Sequence, residues 1–237
     1  MNYAIIAAGE GSRLVEEGIS VPKPLVQLNG ISLIDRLITI FCRNNATSIS
    51  IIINNEMVEV QQYLQQIRLN IPLHLVVKST PSSMHSFFEL SPYLKEDKFC
   101  LTTVDTVFKE DEFSAYIQDF TTDNFYDGMM AVTDFVDDEK PLYVAVDPDT
   151  MLITAFNDSP SGYPYYISGG IYCLSPRAIP VLQMCMNQKM YRMRNYQRQL
   201  IAEGIRLKAC PFKKIIDVDH AGDIEKAAHF LREQKFL

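Results

Sequence analysis

The residues able to do chemistry in this chain cluster first at its front. An apolar run, Tyr3-Ala4-Ile5-Ile6, ends in Ala7-Ala8-Gly9-Glu10-Gly11-Ser12-Arg13-Leu14, and Val21-Pro22-Lys23-Pro24-Leu25 comes shortly after. Small residues at Ala7, Ala8, Gly9 and Gly11, with Ser12 beside them, let backbone N–H groups approach a ligand closely. Arg13 then offers a planar fork of donors and Lys23 a point charge, both suited to an anion. A glycine-rich turn behind a buried strand is by itself a common β–α connection. With two cations close behind it, the turn reads as a phosphate site at the strand's carboxyl end. The spacing is neither Gly-x-Gly-x-x-Gly opening into a helix nor a P-loop closing on Gly-Lys-Ser/Thr.

Two acidic stretches complement this cationic front. Leu101-Thr102-Thr103-Val104-Asp105 places a carboxylate just past a strand, on the edge where parallel sheets form their ligand crevice. An aspartate there also serves well as a helix or turn cap. Near the other end, Lys214-Ile215-Ile216-Asp217-Val218-Asp219-His220-Ala221-Gly222-Asp223 reads as a strand ending at Asp217 and a helix starting after Asp219. Asp219 suits the N-cap, and Asp223 suits the first turn beside the helix dipole.

The front segments, together with Leu28-Asn29-Gly30-Ile31-Ser32-Leu33-Ile34, resemble the nucleotidyltransferases that join sugar 1-phosphates to nucleoside triphosphates, the NDP-sugar pyrophosphorylases. The resemblance implies a Rossmann-like α/β enzyme that binds a nucleoside triphosphate and a phosphorylated small-molecule acceptor. It implies Mg2+ as cofactor, with Asp105 and Asp217 as its ligands; Asp219 is the alternative to Asp217. The reaction implied is in-line attack by an acceptor phosphate oxygen on the α-phosphorus, with release of pyrophosphate. An acceptor phosphate is already ionised near neutral pH, so catalysis reduces to placement and charge stabilisation. Arg13 would then hold the triphosphate or leaving pyrophosphate, and Lys23 the α-phosphate or the acceptor's phosphate.

The middle of the chain matches this family less closely. Ser79-Thr80-Pro81-Ser82-Ser83-Met84-His85-Ser86 lies where the family often has a Gly-Thr loop at the nucleobase. Ser82 and Ser83 either cap the next helix or join His85 at a ligand. Ser168-Gly169-Gly170-Ile171-Tyr172 resembles the family's Asn-Ala-Gly-Ile-Tyr strand at the acceptor, with Ser168 at the asparagine position. Tyr163, Tyr165 and Tyr166 precede it, as packing or as a stacking surface. Where the family often has Glu-Lys-Pro against the sugar and its phosphate, this chain has Asn157-Asp158-Ser159-Pro160. The missing lysine keeps open a cytidylyltransferase for a non-sugar phosphate such as phosphocholine, or a molybdopterin-type transferase. A catalytically silent nucleotide-binding domain is a further alternative. Met190 to Arg198 is the most basic stretch, and reads as a solvated helix face or a subunit contact.

The elements that must carry these residues alternate. Strands are expected at 3–7, 49–53, 73–77 and 99–103, with helices at 31–44, 58–69, 83–94 and 111–121 between and after them. This rhythm predicts a mostly parallel sheet with helices on both faces. Strands at 128–133, 142–146, 152–156 and 166–174 predict an antiparallel β addition at one side of the sheet. Helices at 178–187, 194–203 and 221–234 and strands at 207–211 and 214–216 complete the chain.

Composition sets the outer bounds. At 237 residues, 47% of them hydrophobic and 22% charged, the chain suffices for one nucleotidyltransferase domain spanning 1–237. A formal charge of −7 argues against a nucleic-acid surface. Five scattered cysteines without a Cys-x-x-Cys pair suggest buried thiols in a reducing compartment. No apolar run approaches the roughly 18 residues of a membrane span, and the amino terminus lacks a cleavable leader pattern. A cytoplasmic enzyme, homo-oligomeric or not, is the expectation.

Overall fold

The computed structural model describes residues 1–135, 140–160 and 165–233. Along the chain, β1 (Asn2–Ala7) runs through the glycine turn into a short helix, α1 (Ser12–Glu16). A single 3-10 turn at Lys23–Leu25 precedes the hairpin of β2 (Gln27–Leu28) and β3 (Ile31–Ser32). Then come α2 (Leu33–Arg43), β4 (Ser48–Ile53), α3 (Val58–Gln66), β5 (Leu73–Val77), α4 (Ser83–Leu90) and β6 (Phe99–Thr103). After β7 (Thr106–Val107) and α5 (Glu110–Thr122) come four strands: β8 (Gly128–Thr133), β9 (Tyr143–Val146), β10 (Ile153–Asn157) and β11 (Tyr166–Leu174). Helices α6 (Ala178–Asn187) and α7 (Met193–Ala202), strands β12 (Leu207–Pro211) and β13 (Ile216–Asp217), and α8 (Ala221–Arg232) close the fold.

Among the described residues these strands build one nine-stranded sheet and two small two-stranded ones. β1 lies between β4 and β6, parallel to both, and β5 extends the sheet parallel to β4. β4 reads Ser-Ile-Ser-Ile-Ile-Ile and is buried throughout, as a parallel strand covered on both faces must be. Along β1, Tyr3, Ile5 and Ala7 pack with α2, α3, α5 and α8, whereas Ala4 and Ile6 pack with α4, α6 and α7. Helices therefore cover both faces of the sheet. No helix among the described residues is long and apolar enough to cross a membrane.

The later strands form the expected antiparallel addition on the β6 side of the sheet, continuous with it through β11. β8 belongs to the main sheet, antiparallel to β11 on one edge and parallel to β12 on the other. Its sequence, Gly-Met-Met-Ala-Val-Thr, is buried at every position, which suits an interior strand and not an exposed flap. β11 shares its other edge between β9, at Tyr166 and Ile167, and β6, from Ile171 to Leu174. β9 and β10 extend the antiparallel addition beyond β11.

Local chemistry explains the shifted boundaries. The helix expected over 31–44 begins at Leu33, because Asn29 and Gly30 turn the chain with φ of 53° and 83° and pair β2 with β3. Ser32 then caps α2, its hydroxyl accepting the Asp35 N–H at 3.2 Å. The helix expected over 83–94 stops at Leu90 and becomes a 3-10 turn at Ser91–Tyr93, where Pro92 removes a donor. Three short elements, α1, β2 and β7, have no counterpart in the sequence pattern. The end of the helix expected to reach residue 234 lies outside the described residues.

Pairing of β11 with β8 slips between Ser168 and Tyr172, and Gly170 sits in that bulge at φ +72°. A Cβ there would lie 3.2 Å from Thr106 Oγ1 and 3.8 Å from Thr103 Oγ1. Gly170→Ala is therefore expected to lower unfolding stability by roughly 1–2 kcal/mol, the cost of a left-handed backbone on an L-residue. Urea titration checks this, and unchanged stability would refute the bulge geometry.

Candidate active site

The carboxyl ends of β1, β4, β5 and β6 share one edge of the sheet, as parallel strands must. The segments leaving these strands gather there around a cavity of about 510 Å³: the Gly9–Ser12 turn, Asn54, the Ser79–Ser83 loop and Asp105. A second cavity of about 280 Å³ lies beside it, lined by Arg13, Ser168, Gly169, Asp217, Asp219 and Lys226 among others.

Lys23 joins the two. Its side chain is only 9% exposed, and its Nζ lies 2.5 Å from Asp105 Oδ2 and 2.6 Å from Asp219 Oδ1. Arg13 Nη1 reaches Asp219 Oδ2 at 3.2 Å. Asp105, Lys23, Asp219 and Arg13 thus form a line of alternating charge between the cavities. Burial works against the Lys23 charge, but Asp105 and Asp219 outweigh it and hold the lysine pKa above its usual value. The lysine is fixed by its own backbone, since Pro22 and Pro24 flank it and the Val26 N–H bonds its carbonyl at 3.1 Å. Gly11, at φ +64°, packs directly on it; a Cβ at that position would sit 3.3 Å from Lys23 Cβ.

Asp219 is available for this role because it is not the cap expected from the sequence. His220 is the N-cap, and Asp223 in the first turn completes the capping box, accepting the N–H of His220 at 2.9 Å and of Asp219 at 3.2 Å. The Asp219 carboxylate is left to face the two cations. Glu17, just past α1, bonds His220 Nδ1 and the Ala221 N–H, each at 2.6 Å, and so ties the glycine turn to the start of α8.

Asp217 is brought in by β13, where it pairs with Thr106 of β7, and the Val218 N–H bonds the Asp105 carbonyl at 3.1 Å. Its carboxylate opens onto the smaller cavity while protein crowds it elsewhere. Withdrawal from bulk water, then the charges of Asp105 and Asp219, push its pKa up to about 8, against a Thr106 hydrogen bond and Lys23. Arg36 steadies the same region, bonding the Phe108 carbonyl with its guanidinium 4.8 Å from the Phe108 ring centroid.

The other residues singled out from the sequence divide between the cavities and the core. Ala8, Gly9, Gly11, Ser12, Ser82 and Ser83 line the larger cavity with Lys23. Ala7 is buried in the core at the end of β1. Ser82 precedes α4, yet its hydroxyl bonds His85 Nδ1 at 2.8 Å and caps no backbone N–H. Ser168 and Gly169 line the smaller cavity; Gly170 is turned toward Thr106 and Thr103 by the bulge. Tyr165 meets Tyr143 edge-on at 5.8 Å, and Tyr163 lies outside the described residues. Asp158 is held by Arg194 and Arg198, each at 2.8 Å, which gives those two arginines of the basic stretch an intramolecular role.

Residues 3–234 match the family model for nucleotidyl transferases. The chain belongs to that family. Nucleotidyl transferases move a nucleotidyl group from a triphosphate to a phosphorylated acceptor and release pyrophosphate. No curated protein matches the sequence closely enough to count as a relative. Among solved structures, the chain is similar to the inositol-1-phosphate CTP transferase from T. maritima, with TM-score 0.78 and 16% identity over 98% of this chain and 96% of that one. It is also similar to a UDP-glucose pyrophosphorylase from Acinetobacter baumannii, with TM-score 0.81 and 14% identity over 100% of this chain and 95% of that one. A UTP-bound form matches likewise, with TM-score 0.81 and 15% identity over 100% and 95%. At these identities the likeness is one of fold.

For this nucleotidyl transferase, Asn54, Thr106 and Lys226 escaped the sequence reading. Asn54 could have been found as the polar residue ending a buried parallel strand. Lys226 gives no local signal, because only the docking of α8 brings it to the cleft; Thr106 is buried, and only the β7–β13 pairing sets it beside Asp217.

The raised pKa of Asp217 makes a signed prediction. Relative to an unfolded carboxylate near 3.9, the folded state holds this proton up to about pH 8. Without divalent cations, wild-type stability should therefore fall relative to Asp217→Asn as pH rises from about 4 to 8, and level off above. Thermal melts of both proteins across that range check it; parallel curves would show that Asp217 is not under charge pressure.

Proposed function

We propose that this nucleotidyl transferase joins a nucleoside triphosphate to a sugar 1-phosphate, or to a cyclic polyol phosphate of similar size, with magnesium as cofactor. The observation that carries this reading is the charged line Asp105–Lys23–Asp219–Arg13 between two cavities. The larger cavity, with the glycine turn and the Ser79–Ser83 loop, takes the triphosphate and its base. The smaller, with Ser168 and Gly169, takes the acceptor. The α-phosphate then lies at the boundary, beside Lys23.

An acceptor phosphate oxygen attacks the α-phosphorus, and the bond from that phosphorus to the β-bridging oxygen breaks. The electron pair leaves with pyrophosphate. Lys23 neutralises charge gathering on the α-phosphate oxygens, and no protein nucleophile is needed. Arg13 lines the acceptor-side cavity, so in this reading it serves the acceptor phosphate or the reacting α-phosphate, not the far end of the triphosphate. Lys226 supplies a second cation there, and so answers for the lysine missing at Asn157–Pro160.

No group of three or more His, Cys, Asp or Glu side chains among the described residues is gathered as a metal cage. Magnesium needs none, since it commonly takes one or two carboxylates together with substrate phosphates and water. Asp105 Oδ1 is buried without a hydrogen-bond partner, and Asp217 is under pressure from neighbouring charge; both suit an oxygen-ligated cation. Asp105 and Asp217 would hold it, with Asp219 adjacent. Bound there, magnesium supplies positive charge to the triphosphate oxygens. All five cysteines are free, which supports a reducing, cytoplasmic setting.

The test is pyrophosphate release from CTP, UTP, dTTP, ATP and GTP against glucose 1-phosphate, myo-inositol 1-phosphate and phosphocholine, with magnesium and with EDTA. Magnesium-dependent turnover with a sugar or inositol phosphate is expected. Asp105→Asn, Asp217→Asn and Lys23→Met should each lower kcat by roughly a hundredfold or more. Turnover with phosphocholine alone would replace the acceptor class, and triphosphate binding without turnover would identify a silent domain.

A further inference from the structure

Behind the acceptor-side cavity lies a pair of neutral polar groups that the chemistry above does not use. Gln197, on α7, is only 2% exposed, a rare burial for glutamine. Its Nε2 donates to Ser168 Oγ at 2.9 Å. Ser168 lines the cavity, and Tyr172, further along β11, is buried. The bulge at Gly169 and Gly170 separates Ser168 from Tyr172 along the strand.

The support behind Gln197 is rigid. Its neighbour Tyr196 is 1% exposed and donates to the Ala178 carbonyl at 3.0 Å. On the other side, Arg198 Nε donates to the Phe156 carbonyl at 3.0 Å. α7 is thereby fixed to α6 and to β10, and the glutamine amide is held in place.

Hydrogen-bond capacity decides what Ser168 can recognise. A serine hydroxyl has one proton and two lone pairs. Gln197 Nε2 fills one lone pair. Two positions are left, one donor and one acceptor. A ligand hydroxyl can satisfy either position, whereas a quaternary ammonium can satisfy neither.

We propose that Gln197 is a positioning residue of the acceptor subsite: it fixes the Ser168 hydroxyl, which selects acceptors carrying a hydroxyl on their carbon skeleton. This rests on the reading of the smaller cavity as the acceptor side.

The experiment compares wild type, Gln197→Met, Ser168→Ala and the double variant with glucose 1-phosphate and myo-inositol 1-phosphate as acceptors. Gln197→Met and Ser168→Ala should each raise the acceptor KM about tenfold, the scale of one directed hydrogen bond. The triphosphate KM should stay within twofold, and the double variant should be no worse than Ser168→Ala alone. An acceptor KM that does not move, a triphosphate KM that rises in step, or additive effects would each overturn the proposal. If Gln197→Met does not fold, Gln197→Glu, nearly isosteric but without the N–H donors, takes its place. Should wild type turn over no triphosphate–acceptor pair, the functional reading fails separately. The Gln197 inference is then decided by thermal shift with the same two phosphates. Stabilisation of wild type that the variant loses supports it; equal stabilisation, or none, overturns it.

Discussion

The cleft is organised around one ammonium group. Lys23 is almost fully withdrawn from solvent, and an isolated charge in that position would be strongly unfavourable. It is tolerated because Asp105 and Asp219 both meet it at hydrogen-bond distance. The reverse also holds. Three carboxylates, Asp105, Asp217 and Asp219, are drawn together here, and Lys23 with Arg13 offsets their mutual repulsion only in part. Removing one partner of such a buried pair typically costs roughly 3–5 kcal/mol, because the other charge stays behind unpaired.

The rest of the fold serves to bring those charges within reach. Parallel strands deliver the glycine turn and Asp105 to one edge, with Lys23 resting on Gly11. The small sheet of β7 and β13 carries Asp217 to the same place from the far end of the chain. His220 and Asp223 cap α8 so that Asp219 remains free for the cations, and Glu17 ties that helix to the glycine turn. β11, antiparallel in an otherwise mostly parallel sheet, bulges at Gly170 and lines the smaller cavity through Ser168 and Gly169.

As a member of the nucleotidyl transferase family, this chain gathers Arg13, Lys23 and three aspartates in one cleft. Asp158 is ion-paired with Arg194 and Arg198. Arg13 and Lys226 of α8 bring cationic side chains to the smaller cavity. Ser168 lines that cavity too, and the buried Gln197 of α7 stands behind it.

The sequence by itself determined the α/β class, the parallel core strands and most helices, because burial on one face or both imposes a periodicity that a linear string records. It also exposed the glycine turn, Arg13, Lys23 and Asp105, whose roles depend on near neighbours and on a strand end. Only the tertiary structure decided which carboxylate meets Lys23, since Asp219 and Asp217 differ by two positions and the choice turns on His220 and Asp223 capping the helix. It alone placed β8 inside the sheet, set Gly170 in a bulge facing Thr106 and Thr103, and put Gln197 behind Ser168. Those outcomes depend on pairing and packing between segments far apart in the chain. Local preference leaves such contacts undetermined, because their energies exist only once the distant surfaces meet.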